Sequence, residues 1–109
     1  MGLFTAGQVV IVRFPFSDLT SSKMRPAVVL ADVGKDDWIL CQITSQPYGD
    51  PRAIKLESWD FTHGSLRVTS FVRPGKLFTA HSSLVTGKIG ELKPGKFTDI
   101  QQTVKRIIG

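Results

Sequence analysis

Pro26-Ala27-Val28-Val29-Leu30-Ala31 runs for six residues without a polar side chain. A run that short, rich in β-branched residues, reads as a strand covered on both faces. Its flanks sharpen the reading. Before it, residues 16–24 hold Ser17, Asp18, Thr20, Ser21, Ser22 and Lys23 and read as a polar loop. Pro26 then fits only at the first position of the strand. After it, Gly34-Lys35-Asp36-Asp37 has turn chemistry, and residues 38–43 return as the second arm of a hairpin. That second arm runs into Thr44-Ser45-Gln46. One hairpin therefore brings Arg25 and a row of hydroxyl and amide groups to the same end of a small sheet. A fixed cation beside such donors suits a phosphate that gains charge as it reacts.

The rest of the chain supplies further strands and one helix. Residues 8–14 are β-branched and read as a strand. Residues 44–51 form a second polar loop with Pro47, Gly49 and Pro51, and 53–56 a short strand. Residues 58–64 read as an irregular loop. Strands at 68–72 and 77–79 flank a turn at Arg73-Pro74-Gly75-Lys76. A single helical turn at 81–84 precedes a last strand at 85–92. Then the period changes: Phe97, Ile100, Val104, Ile107 and Ile108 fall on one side of a helix, with Pro94 near its start, where no amide donor is required. The 109 residues show no linker or repeat and read as one domain over 1–109. The expected fold class is mainly β: a small, strongly bent β-barrel with the C-terminal helix packed on it.

Composition narrows the function classes. Fourteen Lys and Arg against nine Asp and Glu give +5, which favours a polyanionic partner. Cys41 is alone, so an internal disulfide and a cysteine-based zinc site are excluded, and its apolar strand points to a buried, inert thiol. Two histidines and no spaced carboxylate cluster disfavour metal-dependent hydrolysis, so no metal or other cofactor is expected. No apolar run approaches membrane-spanning length, so no membrane partner is expected. The first residues carry no charged lead and Arg13 interrupts the apolar stretch, which argues against a signal peptide and sets the cytoplasm as the expectation.

Several blocks in order are similar to the MazF/PemK-like toxins of bacterial toxin–antitoxin pairs. They are Gly7-Gln8-Val9-Val10-Ile11-Val12, Phe14-Pro15-Phe16-Ser17-Asp18-Leu19, Arg25-Pro26-Ala27-Val28-Val29-Leu30, Ile43-Thr44-Ser45-Gln46, Ser70-Phe71-Val72-Arg73-Pro74-Gly75-Lys76-Leu77-Phe78-Thr79 and Lys88-Ile89-Gly90-Glu91-Leu92. The resemblance implies an SH3-like barrel. It implies a metal-independent endoribonuclease that cuts single-stranded RNA, leaving a 2′,3′-cyclic phosphate and a 5′-hydroxyl and arresting translation and growth. It implies a homodimer and a cognate antitoxin protein that covers the RNA groove. Arg25 and Thr44 match the family's catalytic positions, and Arg73 and Lys76 lie in a turn that the family places near RNA. One branch of the family has a proton-transferring acid two positions beyond this arginine, where this chain has Gly75. His81 stands where relatives of this branch usually have Asp.

The residues themselves allow these roles and plainer ones. Arg25 stays protonated at any working pH and can hold two phosphate oxygens at once, but it could equally cap a turn or pair with Asp18. The Thr44 hydroxyl can orient a 2′-hydroxyl or donate to a phosphate oxygen, or simply close a strand end. The expected substrate-binding set is Lys23, Ser45, Gln46, Arg73, Lys76, Ser17 and Asp18. Asp18 is a substitute general base or an Asx-turn residue. His63 and His81 suit acid–base work near neutral pH but match no catalytic position of the family. Phe16, Tyr48 and Trp59 can stack on unpaired bases or anchor loops. Two other functions stay open on this reading: a non-catalytic RNA-binding barrel, and a toxin that binds a target protein such as a topoisomerase.

Overall fold

The computed structural model describes residues 3–15 and 22–109. Seven strands and a helix follow in order: β1 (Gln8–Pro15), β2 (Ser22–Gly34), β3 (Asp37–Thr44), β4 (Ile54–Leu56), β5 (Phe61–Gly64), β6 (Ser70–His81), β7 (Val85–Leu92) and α1 (Pro94–Ile108). All seven strands join one antiparallel sheet in the order β4-β6-β3-β2-β1-β7-β5.

The apolar run at 26–31 is covered on both faces only at Ala27–Val29; Pro26 and Leu30 are half-buried, and Ala31, expected inside, is exposed. Val28 joins a cluster with Val9, Cys41, Ile43, Leu56, Phe61, Val72, Leu92 and Ile100 of α1. Its neighbours Ala27 and Val29 face the other way, into a cluster with Val10, Val12, Trp38, Leu40 and Ala80. Leu56 and Phe61 come from β4 and β5, the two edges of the sheet, yet they share the first cluster. A sheet whose edges meet in one core must curl, and the result is a half-barrel closed by the helix. Bulges in the β1–β7, β2–β3 and β3–β6 ladders supply the bending.

The hairpin forms where the turn chemistry sets it. Lys35 and Asp36 have φ of 56° and 62°, the pair of left-handed residues that a two-residue type I′ turn needs. α1 begins with Pro94 in its first turn and carries Lys105 and Arg106 in its last, where cations complement the helix dipole. Ile100 is its buried anchor, with Phe97 and Val104 packed beside it. Ile108, expected on the packed side, is 67% exposed. It is the last helical residue, beyond the reach of the sheet.

Four further expectations are corrected. β2 begins at Ser22, so Ser22, Lys23 and Met24 are strand rather than loop. Pro26 therefore lies inside β2, opposite Ile11 of β1. The β2–β3 ladder begins only at Ala27, so at Pro26 the strand is paired on one side, where a missing amide donor is tolerated. Residues 58–64 are ordered as a short 3-10 helix, Ser58–Asp60, followed by β5. Phe61 is buried, and Gly64 at φ 73° runs so close to β7 that a Cβ would collide with the Ile89 carbonyl oxygen. Arg73-Pro74-Gly75-Lys76 is not a turn between two strands. It is a bulge within the continuous β6: Cys41 pairs with Leu77 and Ile43 with Val72, so these four residues oppose Gln42 alone.

Candidate functional site

The β2–β3 register would set Arg25 opposite Thr44 if it ran two residues further, but the ladder stops at Ala27↔Gln42. Beyond that point Ile43 and Thr44 pair with β6, and β2 stays with β1. The two strands splay, and the gap between them is a groove of about 570 Å³. Lys23, Met24, Arg25 and Pro26 form one side. Ser65, Leu66, Arg67, Val68 and Ser70, from the segment entering β6, form the other. Ile11, Ile43 and Ile89 make an apolar floor, and Thr44, Ser45 and Tyr48 close one end.

The groove is cationic and is lined by two buried hydroxyls, Thr44 and Ser70. Among the described residues its lining holds Lys23, Arg25 and Arg67 and no carboxylate. Arg25 is partly buried, and its guanidinium makes no hydrogen bond or ion pair among the described residues. Thr44 is 6% exposed. Its Oγ1 accepts from the Gln46 amide and donates to the Gln46 carbonyl, each at 3.1 Å. That local loop is the strand-end bonding expected of a threonine here. It fixes the rotamer and still leaves one acceptor lone pair on the oxygen. Ser70, 4% exposed, likewise spends its proton on the Val68 carbonyl, at 3.0 Å.

Of the expected site residues, the structure brings Arg25, Thr44, Lys23 and Ser45 into the groove. Ser17 and Asp18 lie outside the described residues. Gln46 contributes its backbone to the Thr44 loop and is not among the lining residues. Arg73 and Lys76 are not among them either. Lys76 is exposed on the β6 bulge. The Arg73 Nε donates to Asp50 Oδ2 at 3.0 Å, with only 20% and 13% of the two side chains exposed. The Arg52 amide, then the Arg73 guanidinium, hold the Asp50 carboxyl below the usual carboxylate value. Neither histidine lines the groove. His63 faces Glu91 at 3.3 Å on the β5–β7 ladder, and the His81 imidazole caps the 3-10 helix Ser82–Leu84 by accepting from the Ser83 amide. Phe16 lies outside the described residues, and Trp59 is exposed on the 3-10 helix before β5. Tyr48, 72% exposed, is the aromatic that reaches the groove.

Ser65, Arg67 and Ser70 are the polar lining residues that sequence reasoning missed. Arg67 also lines a smaller cavity of about 170 Å³ beside Leu56, Glu57 and Phe61, so it straddles two hollows. Its only signal in the sequence was a charge between apolar Leu66 and Val68. Among the described residues no three of His, Cys, Asp and Glu come together as a metal site, and no helix is long and apolar enough to cross a membrane.

A curled sheet with one helix, and a cationic groove opened by splayed strands, define a class, and comparison with known proteins supplies it. Over residues 5–108 the chain matches the family described as PemK-like, MazF-like toxin of type II toxin-antitoxin system, and it belongs to that family. No curated protein sequence matches it. Among solved structures it is similar to a MazE–MazF complex from Deinococcus radiodurans, with TM-score 0.80 and 18% identity over 100% of this chain and 98% of that one. It is also similar to an endoribonuclease in complex with its cognate antitoxin from a Mycobacterial species, with TM-score 0.73 and 17% identity over 100% and 96%. A third is the toxin MazF-mt6 of Mycobacterium tuberculosis, with TM-score 0.68 and 14% identity over 91% and 95%. The family to which the chain belongs is one of endoribonucleases.

Proposed function

We propose that this toxin-family endoribonuclease cuts single-stranded RNA by directing the RNA's own 2′-hydroxyl at the adjacent phosphate. The observation that carries this reading is the pairing of Arg25, a cation with no carboxylate partner among the described residues, with a held hydroxyl, Thr44, in one groove. The 2′-hydroxyl gives its proton to water as its oxygen bonds to phosphorus, the bond from phosphorus to the 5′-oxygen breaks, that oxygen takes a proton back from water, and the products are a 2′,3′-cyclic phosphate and a 5′-hydroxyl. The nucleophile arrives with the substrate, so the step needs no metal ion. Arg25 forks two non-bridging oxygens and stabilises the charge that builds in the phosphorane. The free lone pair of Thr44 accepts from the 2′-hydroxyl and lines it up for attack. Donation from Thr44 to phosphate would require it first to release the Gln46 carbonyl.

Lys23, Arg67 and Ser45 bind the flanking backbone, and Tyr48 offers a face on which an unpaired base stacks. The exposed apolar side chains Met24, Tyr48 and Val68 ring the same groove. They support a two-fold homodimer whose interface adjoins it. The cations support neutralisation by an acidic segment of a cognate antitoxin laid over the groove, with a salt-sensitive encounter. Messenger RNA in the cytoplasm is the target this reading favours.

The test is purified protein with single-stranded RNA and the matching DNA in excess chelator. The RNA should be cut to cyclic-phosphate ends, while DNA and duplex RNA survive. Activity lost in chelator and restored by a divalent ion would overturn the mechanism. RNA binding without cleavage would make the chain a binding module. Light scattering at micromolar concentration should give the mass of a dimer, and a monomer mass would remove the assembly from the proposal.

A further inference from the structure

We infer that Arg73 is a positioning residue, which with Asp50 clamps the 45–52 loop so that Tyr48 and Thr44 keep the closed end of the groove in shape. The inference rests on the groove being the RNA site. It starts from how firmly the base of Arg73 is anchored. The Arg73 carbonyl accepts the Cys41 thiol proton at 3.0 Å, which ties the β6 bulge to the middle of β3. The next residue, Pro74, is fully buried. The guanidinium therefore leaves a fixed point of the sheet.

What it meets is the hub of the loop. Asp50 Oδ2 takes the Arg73 Nε, and Oδ1 takes the Arg52 amide at 2.9 Å. The Asp50 amide donates to the Pro47 carbonyl at 3.0 Å, and its carbonyl accepts from the Ala53 amide at 3.2 Å. The same guanidinium stands 5.8 Å from the centre of the Tyr48 ring. Tyr48 itself has φ 57°, a left-handed conformation that a residue with a Cβ holds only when its surroundings impose it. Left alone, the Pro47–Asp50 turn would relax toward ordinary backbone angles, and the tyrosine would leave the groove. Arg73 supplies the constraint from outside the loop. The cation at 73 then serves RNA through the protein and not by touching phosphate.

The two roles separate in one set of variants. Arg73→Gln and Asp50→Asn should each lower kcat/KM by roughly tenfold, mostly through KM, and the double variant should be no worse than the poorer single one. The slope of RNA affinity against salt should stay that of the wild type in both. A phosphate contact would instead lower that slope by about 1 in Arg73→Gln and leave Asp50→Asn near wild type. That pattern would overturn the inference. Amide hydrogen exchange provides a readout without RNA. The Gln46, Asp50 and Ala53 amides should lose protection in both variants, while the amides of β1 and β7 keep it. Unchanged protection in that loop would overturn the clamp, whatever the activity. A wild-type chain that cuts no RNA would sink the proposed function and leave this exchange test standing. Asp50→Asn lies on a surface loop and keeps the test decisive if Arg73→Gln lowers stability.

Discussion

Arg25-Pro26 and Arg73-Pro74 are the same dipeptide placed in two neighbouring parts of one sheet, and the fold treats them differently. At Arg25 the flanking strand has parted from β3, so the proline sits where the ladder is one-sided and the arginine faces an open groove. At Arg73 the strand stays paired and the extra residues bulge, so the proline is buried and the arginine is claimed by Asp50. A guanidinium that meets no carboxylate among the described residues is available to a ligand. One already matched to a carboxylate is part of the architecture. Residue type and local sequence do not separate the two cases; the pairing of the strand beneath them does.

The largest expected effect tests the first half of that contrast. Arg25→Ala should slow cleavage at saturating RNA by about 10²–10³, the usual cost of a lost donor to a charged transition state, with the melting temperature nearly unchanged. Arg25→Lys should recover little, because an ammonium cannot fork two oxygens. Equal losses in kcat for Arg25→Ala and Arg73→Gln would erase the distinction.

Thr44 comes next. Thr44→Ala should lower kcat by about 10² if the hydroxyl aligns the nucleophile. Thr44→Ser, which keeps the oxygen and can remake the Gln46 loop, should stay within about tenfold of wild type. A serine variant as poor as the alanine would show that the methyl group, and thus packing, is what matters.

The prolines give a third comparison, read by denaturant unfolding. Pro74→Ala should cost about 1–2 kcal/mol for its buried ring, and Pro26→Ala about 0.5 kcal/mol or less. Reversed values would mean that the one-sided ladder at Pro26 has been misjudged.

The smallest effect is a pH dependence. The Arg52 amide and the Arg73 guanidinium hold the Asp50 carboxyl below its usual value, with Cys41 of β3 the other titratable group facing it. A lowered folded pKa means that the unfolded chain binds the proton more readily. The stabilisation is therefore complete above the ordinary carboxylate value of about 3.9, and is lost as pH falls through the folded pKa. The stability gap between wild type and Asp50→Asn should be constant from pH 7 to about pH 5 and shrink below pH 4.

What the sequence displayed was whatever local pattern controls. The 34–37 turn, the doubly covered residues 27–29, the last strand and the stripe from Phe97 to Val104 are set by residues close in the chain. Arg25 and Thr44 were legible as a pair because a short hairpin forces them to one end of the sheet. β5 was hidden because, among its four residues, only Phe61 is buried. The bulge was hidden because Pro74-Gly75 has the composition of a turn, and only the matching of Cys41 to Leu77 shows that β6 continues. Arg67 and Ser70 reach the groove only after the sheet has curled. The partner of Arg73 is 23 residues away in a loop with no periodicity.

Cys41 lends the structure a clock. Burial, then the charge of Asp50, pushes its thiol up to about 12, and its side chain is 0% exposed. At neutral pH almost none of the thiolate that alkylating agents attack is present, and the fold shields what there is. The chain should resist such reagents for as long as β3 and β6 stay together. Labelling then requires the strand pair to open, so mass spectrometry of a single site reads how much of the time the sheet stands open, and how often it opens once the reagent outpaces reclosing.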